Sequence, residues 1–328
     1  MIKKVLLFLI TATLALLAFY TIETKRAGTG NGDVIVEIRR GATLRGVANK
    51  LVSEKIISSP MVFEVAARLG GAAKKIHAGE FLLQRSSSLN EIIKQLTYGK
   101  TILRPVTIPE GLTIREIGRK LENMGFATEE SFIAATYDKK LLASFNIPAE
   151  SMEGYLFPET YHFPKGITAK NIAKTMLKMF FSQVSEVIPE DEIKNRARLH
   201  KVITLASLIE KETAVKSERK TISSVFTNRL KKKMLLQCDP TVIYALPEFD
   251  GNIRKKDLEY DSPYNTYRYR GLPPGPIANP GLASIDAANY PADTKYIYFV
   301  AKNNGEHLFS STLKEHNRAV AKYQKNRR

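Results

Sequence analysis

From Val5 to Ile22 the chain runs for eighteen residues without a charge, almost all apolar, and this segment constrains it most. As a helix it spans about 27 Å, close to the ~30 Å hydrocarbon core of a bilayer. A cleaved secretory signal shares the basic start, here Lys3-Lys4, and the apolar centre. It also needs small residues before the cut, whereas this run ends Leu17-Ala18-Phe19-Tyr20-Thr21. No Cys follows it, which excludes a lipoprotein anchor. The expectation is an uncleaved single-pass anchor. Lys25 and Arg26 balance Lys3 and Lys4, so the positive-inside count leaves the orientation open. Residues 23–33, with three Gly and no large apolar side chain, read as a flexible linker.

The rest of the chain is long enough for more than one domain. The protein has 328 residues, 44% of them hydrophobic and 25% charged, which is the make-up of a folded protein. One Cys cannot close an internal disulfide, and no Cys/His cluster has zinc spacing, so neither a disulfide scaffold nor a structural metal is expected. The net charge of +17 fits nucleic acid, an anionic membrane surface or an acidic polymer.

An internal repeat organises the next stretch. Sixteen residues from Val36 align with sixteen from Val106, and seven are identical: Val, Ile, Gly, Thr, Arg, Lys and Leu. Each unit reads as a strand, a Gly turn, a Ser/Thr cap and an amphipathic helix. Weaker echoes run from Phe81 to Leu96 and from Tyr161 to Met176. With a second helix over Pro60–Leu69 and a returning strand at Phe81–Gln84, residues 34–100 form a β-α-α-β module. That order resembles a LysM-like domain, a family of sugar-polymer binders; sugar binding and a spacer or docking role both stand open.

Two segments carry candidate chemistry. Met152 to Tyr161 holds three aromatics and two carboxylates, bent by Gly154 and Pro158. Aromatic rings stack on sugars and carboxylates bond their hydroxyls, but such a segment is more often core. His200 to Ala214 reads as a helix ending in Glu210 and Glu212. His200, Thr204, Ser207 and Lys211 share a polar stripe, while Leu199, Ile203 and Ala206 share the face of Glu210. A carboxyl at the end of an apolar stripe is partly desolvated, which favours the protonated form that a general acid needs. The competing reading is a carboxylate paired with a nearby Lys or Arg. Helical geometry does not choose between Glu210 and Glu212. Ser217 is placed to cap a second helix, from Glu218 to about Lys233, with a basic end.

The ordered motifs carry a more specific likeness. Leu205-Ala-Ser-Leu-Ile-Glu210-Lys-Glu-Thr-Ala, Ser217-Glu-Arg, Val225-Phe-Thr-Asn-Arg-Leu230 and Leu236-Gln-Cys-Asp239-Pro-Thr-Val-Ile-Tyr244 resemble the YceG-like (MltG-type) endolytic murein transglycosylases. So do Tyr264-Asn265-Thr-Tyr267, Gly271-Leu-Pro-Pro-Gly-Pro-Ile-Ala-Asn-Pro280-Gly, Tyr298-Phe-Val-Ala and His316-Asn. Cys238 stands where that pattern has Thr.

The resemblance implies an α+β protein in four parts: a cytoplasmic tail and anchor (1–22), a linker (23–33), a LysM-like module (34–100) and a catalytic domain (101–328). It implies a membrane-anchored lyase with the N-terminus inside and the catalytic domain outside the cytoplasmic membrane, acting on peptidoglycan glycan strands with no cofactor or metal. Glu210 matches the family's catalytic Glu. It would protonate the oxygen of a MurNAc–GlcNAc β-1,4 bond, then take the proton from the muramyl C6 hydroxyl as that oxygen closes on C1 to leave a 1,6-anhydro end. Gln237, Asp239, Tyr264, Asn265, Tyr267, Glu153 and Tyr155 are the expected substrate contacts. Ending of nascent chains beside peptidoglycan synthases is a family expectation, and nucleic acid is not an expected partner. The alternatives are a muramidase using Asp239 or Glu153 as second carboxylate, and a non-catalytic wall-binding anchor.

Overall fold

The structure is a computed structural model, which describes residues 2–25, 30–302 and 304–325. Part of the expected linker, residues 26–29, lies outside the described residues. The protein is α+β, and it divides into two compact units. One holds residues 1–105 and 162–167, the other 106–161 and 168–328.

The first unit begins with α1 (Ile2–Lys25), in which Lys4–Ile22 is long and apolar enough to cross a membrane. Then come β1 (Asp33–Ile38), α2 (Leu44–Ser53), α3 (Pro60–Leu69), β2 (Gly79–Gln84) and α4 (Leu89–Tyr98). The β-α-α-β order read from the sequence is present. β1 and β2 pair antiparallel with Val36 opposite Phe81, and both side chains enter a core with Leu51, Phe63, Leu83, Ile92 and Leu96. Because side chains alternate along a strand, the next pair, Ile35 and Leu82, points outward and is exposed. Glu80, 5% exposed, is held by both Nε and Nη2 of Arg104 at 2.6 and 3.0 Å.

β3 (Leu103–Thr107) pairs with β4 (Thr160–Pro164), and each strand passes from one unit into the other. The second unit adds α5 (Ile114–Asn123), α6 (Glu129–Thr136), α7 (Lys139–Ser144), α8 (Ala169–Val184), α9 (Glu190–Lys194), α10 (Arg196–Glu212), α11 (Arg219–Lys231), α12 (Asp239–Ala245) and α13 (Leu282–Asn289). A hairpin of β5 (Tyr298–Ala301) and β6 (His307–Ser310) precedes α14 (Leu313–Val320). α8 buries Ile172, Met176, Leu177, Phe180 and Val184, a helical spacing that makes one continuous inner face. α10 packs against α9, α11, α12 and α13 and is the central helix of this unit.

The sequence repeat is a repeat of backbone geometry. Gly41, Gly111 and Gly166 have φ of 77°, 79° and 79°, and each lies two residues before a capping Thr: Thr43, Thr113 and Thr168. The left-handed turn favours Gly because it has no Cβ to clash. It swings the chain so that the Thr hydroxyl accepts from the N3 amide of the succeeding helix. The echo at Phe81 keeps the cap, Ser88, without the glycine. Ser217 departs from expectation. A short 3-10 turn over Lys216–Glu218 leads straight into α11, so the N-cap position falls on Glu218 in a helical conformation without a side-chain cap. A serine already inside such a turn has no extended backbone from which to reach the helix amides.

Candidate active site

The second repeat's turn, Glu110-Gly111, lies beside the end of α10. Gly111 donates its N–H to the Asn279 carbonyl, and Lys211 Nζ donates to the Gly111 carbonyl at 3.2 Å. An added Cβ on Gly111 would lie 3.6 Å from Glu210 Cγ, so the turn and the carboxylate are neighbours.

Glu210 is fixed by two donors. Arg219 Nη2 lies 3.0 Å from Oε1, and the Gly281 N–H donates to Oε2 at 2.9 Å. The Arg219 and Glu210 side chains are 5% and 6% exposed. The same Nη2 reaches Glu110 Oε2 at 3.4 Å, and that side chain is 45% exposed. The apolar flank expected of Glu210 is present on α10, where Leu199, Ile203 and Ala206 are buried. The carboxylate itself nonetheless faces a cation and a backbone amide. Sequence reasoning gave no role to Arg219, Glu110 or Gly281. The signal available was their presence in the repeat turn, in Ser217-Glu-Arg and at the end of the Gly271–Gly281 motif.

The polar stripe on α10 seats the loop that supplies Gly281. His200 Nε2 lies 3.0 Å from the Pro274 carbonyl, the Ser207 hydroxyl accepts the Ile277 N–H, and Glu210 accepts that of Gly281. A carbonyl only accepts, so Nε2 is the donor to Pro274, and Nδ1 shares a 2.8 Å hydrogen bond with the Tyr155 hydroxyl. Asn279, fully buried, ties three segments together. It donates from Nδ2 to Leu112 O and Glu153 Oε1, and its Oδ1 accepts the Leu156 N–H.

Glu153 and Tyr155 are interior residues, 5% and 1% exposed. Glu153 also accepts the Ile114 N–H and the Tyr244 hydroxyl. Burial pushes its carboxyl up to about 8, against the pull of those donors. Neither residue presents a free surface to a ligand in this conformation. Asn265 is 0% exposed, with its amide bonded to the Leu258 and Tyr260 carbonyls and to the Tyr267 N–H. It therefore acts as the brace of its loop. Gln237 and Asp239 are exposed, Gln237 with a left-handed φ of 52°, and Asp239 Oδ1 accepts the Tyr267 hydroxyl at 2.5 Å. Tyr264 is half-buried, its ring 5.0 Å from that of Tyr244. The structure thus brings Asp239 and Tyr267 together, ties the Gln237 N–H to the neighbouring Thr266 carbonyl, and buries Glu153, Tyr155 and Asn265.

Glu212 has different surroundings from Glu210. Its Oε2 lies 3.5 Å from the buried Cys238 Sγ, and burial pushes its carboxyl up to about 7. Cys238, in turn, is raised well above the ordinary thiol range, first by its own burial and then by Glu212. Among the described residues no group of three His, Cys, Asp or Glu side chains could hold a metal ion.

With this geometry in place, comparison with known proteins is specific. A family profile described as the YceG-like family matches residues 36–322. The chain belongs to the YceG-like family. It is 40% identical over 306 residues to an endolytic murein transglycosylase of Bacillus subtilis, covering 88% of this chain and 84% of that one. It is 29% identical over 322 residues to an endolytic murein transglycosylase of Streptococcus pneumoniae, and spans 58% of that longer relative. A crystal structure of a YceG-like protein from Listeria monocytogenes superposes with a TM-score of 0.60 at 34% identity, covering 88% of this chain and all of that one.

Proposed function

We propose that this protein is a membrane-anchored endolytic murein transglycosylase with Glu210 as its single acid/base. The relatives' activity and the family match over most of the chain support the substrate class. The observation that carries the residue assignment is the placement of Glu210, fixed by Arg219 and Gly281 N–H next to the half-exposed Glu110. Glu212 is bonded by Cys238, Glu153 by three donors, and Asp239 by the Tyr267 hydroxyl.

In the proposed reaction, Glu210 as acid gives its proton to the glycosidic oxygen and the C1–O4 bond breaks. The carboxylate then removes the proton from the muramyl C6 hydroxyl while O6 bonds to C1. The products are a 1,6-anhydro-MurNAc end and a free GlcNAc 4-hydroxyl, and the proton count closes on the enzyme. Gln237, Asp239, Tyr264 and Tyr267 are the proposed sugar contacts, and α1 the proposed anchor, with the catalytic unit outside the membrane. Chain ending beside synthases is the proposed setting. A muramidase would need a second ionised carboxylate; burial pushes Glu153 up to about 8, which disfavours it and leaves the exposed Asp239 as the candidate for that reading.

Product analysis of digested murein tests this reading. Wild type should leave anhydro ends, and Glu210→Gln should lower the cleavage rate about 10²–10⁴-fold. Reducing MurNAc ends, or full activity in Glu210→Gln, would overturn it.

A further inference from the structure

Two buried arginines of α11 are held in opposite ways. Arg229 is riveted: its Nε and Nη1 donate to the carbonyls of Ile297 and Leu236 at 2.7 Å each, and main-chain acceptors fix its plane. Among the described residues, Arg219, 4% exposed, bonds the carboxylates of Glu210 and Glu110, both through Nη2, and its buried Nε and Nη1 have no hydrogen-bond partner. A buried guanidinium with two unused donors and no main-chain anchor has little to hold it to one orientation, and it already touches two carboxylates.

We propose that Arg219 is a transferable counter-ion: it leaves Glu210 for Glu110 when glycan enters, and that transfer lets Glu210 take up the proton it delivers. The inference rests on the assignment of Glu210 made above. A neighbouring guanidinium favours the ionised carboxylate, whereas the first step needs a carboxylic acid. In the free site Glu210 is ion-paired to Arg219, so the pair must open before the carboxyl can deliver a proton. Glu110 is placed to open it, from an exposed turn whose side chain can follow the guanidinium. Lys211, the next residue on α10, is turned to the Gly111 carbonyl, and the loop before α13 gives Glu210 the Gly281 N–H. On transfer, Arg219 stays charged against Glu110, and Glu210 binds one proton given up by a buffer acid in the solvent. The net charge of the three groups rises by one, and that of the buffer falls by one. Arg219 and Glu110 are positioning residues in this scheme.

Gly281 makes the acceptor position possible. A Cβ there would fall 1.9 Å from Glu110 Oε1, yet its φ of −78° suits any residue. Gly281→Ala should therefore push the flexible Glu110 carboxylate aside while keeping the N–H that Glu210 accepts.

The experiment is steady-state cleavage of uncrosslinked glycan strands by the purified full-length chain across pH, with anhydro ends counted. Glu110→Gln removes a half-exposed carboxylate whose one partner among the described residues is Arg219, so folding is not at risk. It should lower kcat about tenfold at neutral pH with KM unchanged, and move the alkaline limb of the kcat profile about one pH unit toward acid. Gly281→Ala should reproduce both changes. A wild-type profile in either variant overturns the inference, as does a raised KM with unchanged kcat, which would make Glu110 a substrate contact. Loss as complete as in Glu210→Gln also overturns it, making Glu110 a second catalytic carboxylate. Activity surviving in Glu210→Gln is a separate result, and removes the functional reading itself.

Discussion

At Glu153, three donors converge on a carboxyl that burial has pushed up to about 8. Unfolded, the same group titrates near the ordinary value of 4.5. Below that pH both states are protonated, and the group contributes in full. Between about 4.5 and 8 the unfolded chain ionises while the native one stays protonated, so this contribution is lost as pH rises. Glu212, pushed up to about 7, acts in the same direction. Glu153→Gln removes one titrating group while keeping the acceptor for Ile114 and Asn279. Its melting temperature should fall less than that of wild type between about pH 5 and about pH 8 in a thermal unfolding series. Glu153→Ala strands the buried Asn279 amide and should cost about 1–3 kcal/mol in denaturant unfolding. The burial of Glu153 is the weightier of the two readings its segment allows. Its partners were not legible, because Ile114, Tyr244 and Asn279 are far from it in sequence.

Helix α5 shows how local sequence sets an element. Thr113 accepts the Glu116 N–H, and the Glu116 carboxylate accepts the Thr113 N–H at 2.8 Å, a complete capping box. Ile114, Ile117, Gly118 and Leu121 then face inward at helical spacing. Thr113→Ala should lower stability by about 1 kcal/mol, read as an earlier midpoint in urea. It should leave the Ile114 N–H to Glu153 intact. The same logic makes Thr43, Ser88 and Thr168 legible as helix starts, since a cap depends on four consecutive residues. It fails at Ser217, where the chain enters α11 through a tight turn. The stripe His200–Thr204–Ser207–Lys211 was legible as polar but not as a seat, because the loop it holds comes about seventy residues later.

For the whole molecule, the apolar α1 and the residues around Glu210 are separable in sequence. Every group named at the candidate site lies within residues 106–161 or 168–325. Expression of the full chain should place it in the membrane fraction, and a chain beginning at Gly30 in the soluble fraction. The shorter chain should keep murein cleavage in a detergent-free assay. Sequence alone determined the apolar segment, the strand–glycine–cap–helix repeat, the central helix and the family. These depend on residues a few positions apart, on solvent transfer, on backbone sterics and on an ordered set of motifs. Tertiary structure alone decided which carboxyl of α10 meets Arg219 and which meets Cys238, and that Glu153 and Asn265 are buried. It also brought Glu110, from a turn a hundred residues earlier, to the same guanidinium. Those outcomes turn on burial and on donors from distant segments, and a charge's partner in a folded chain is set by packing.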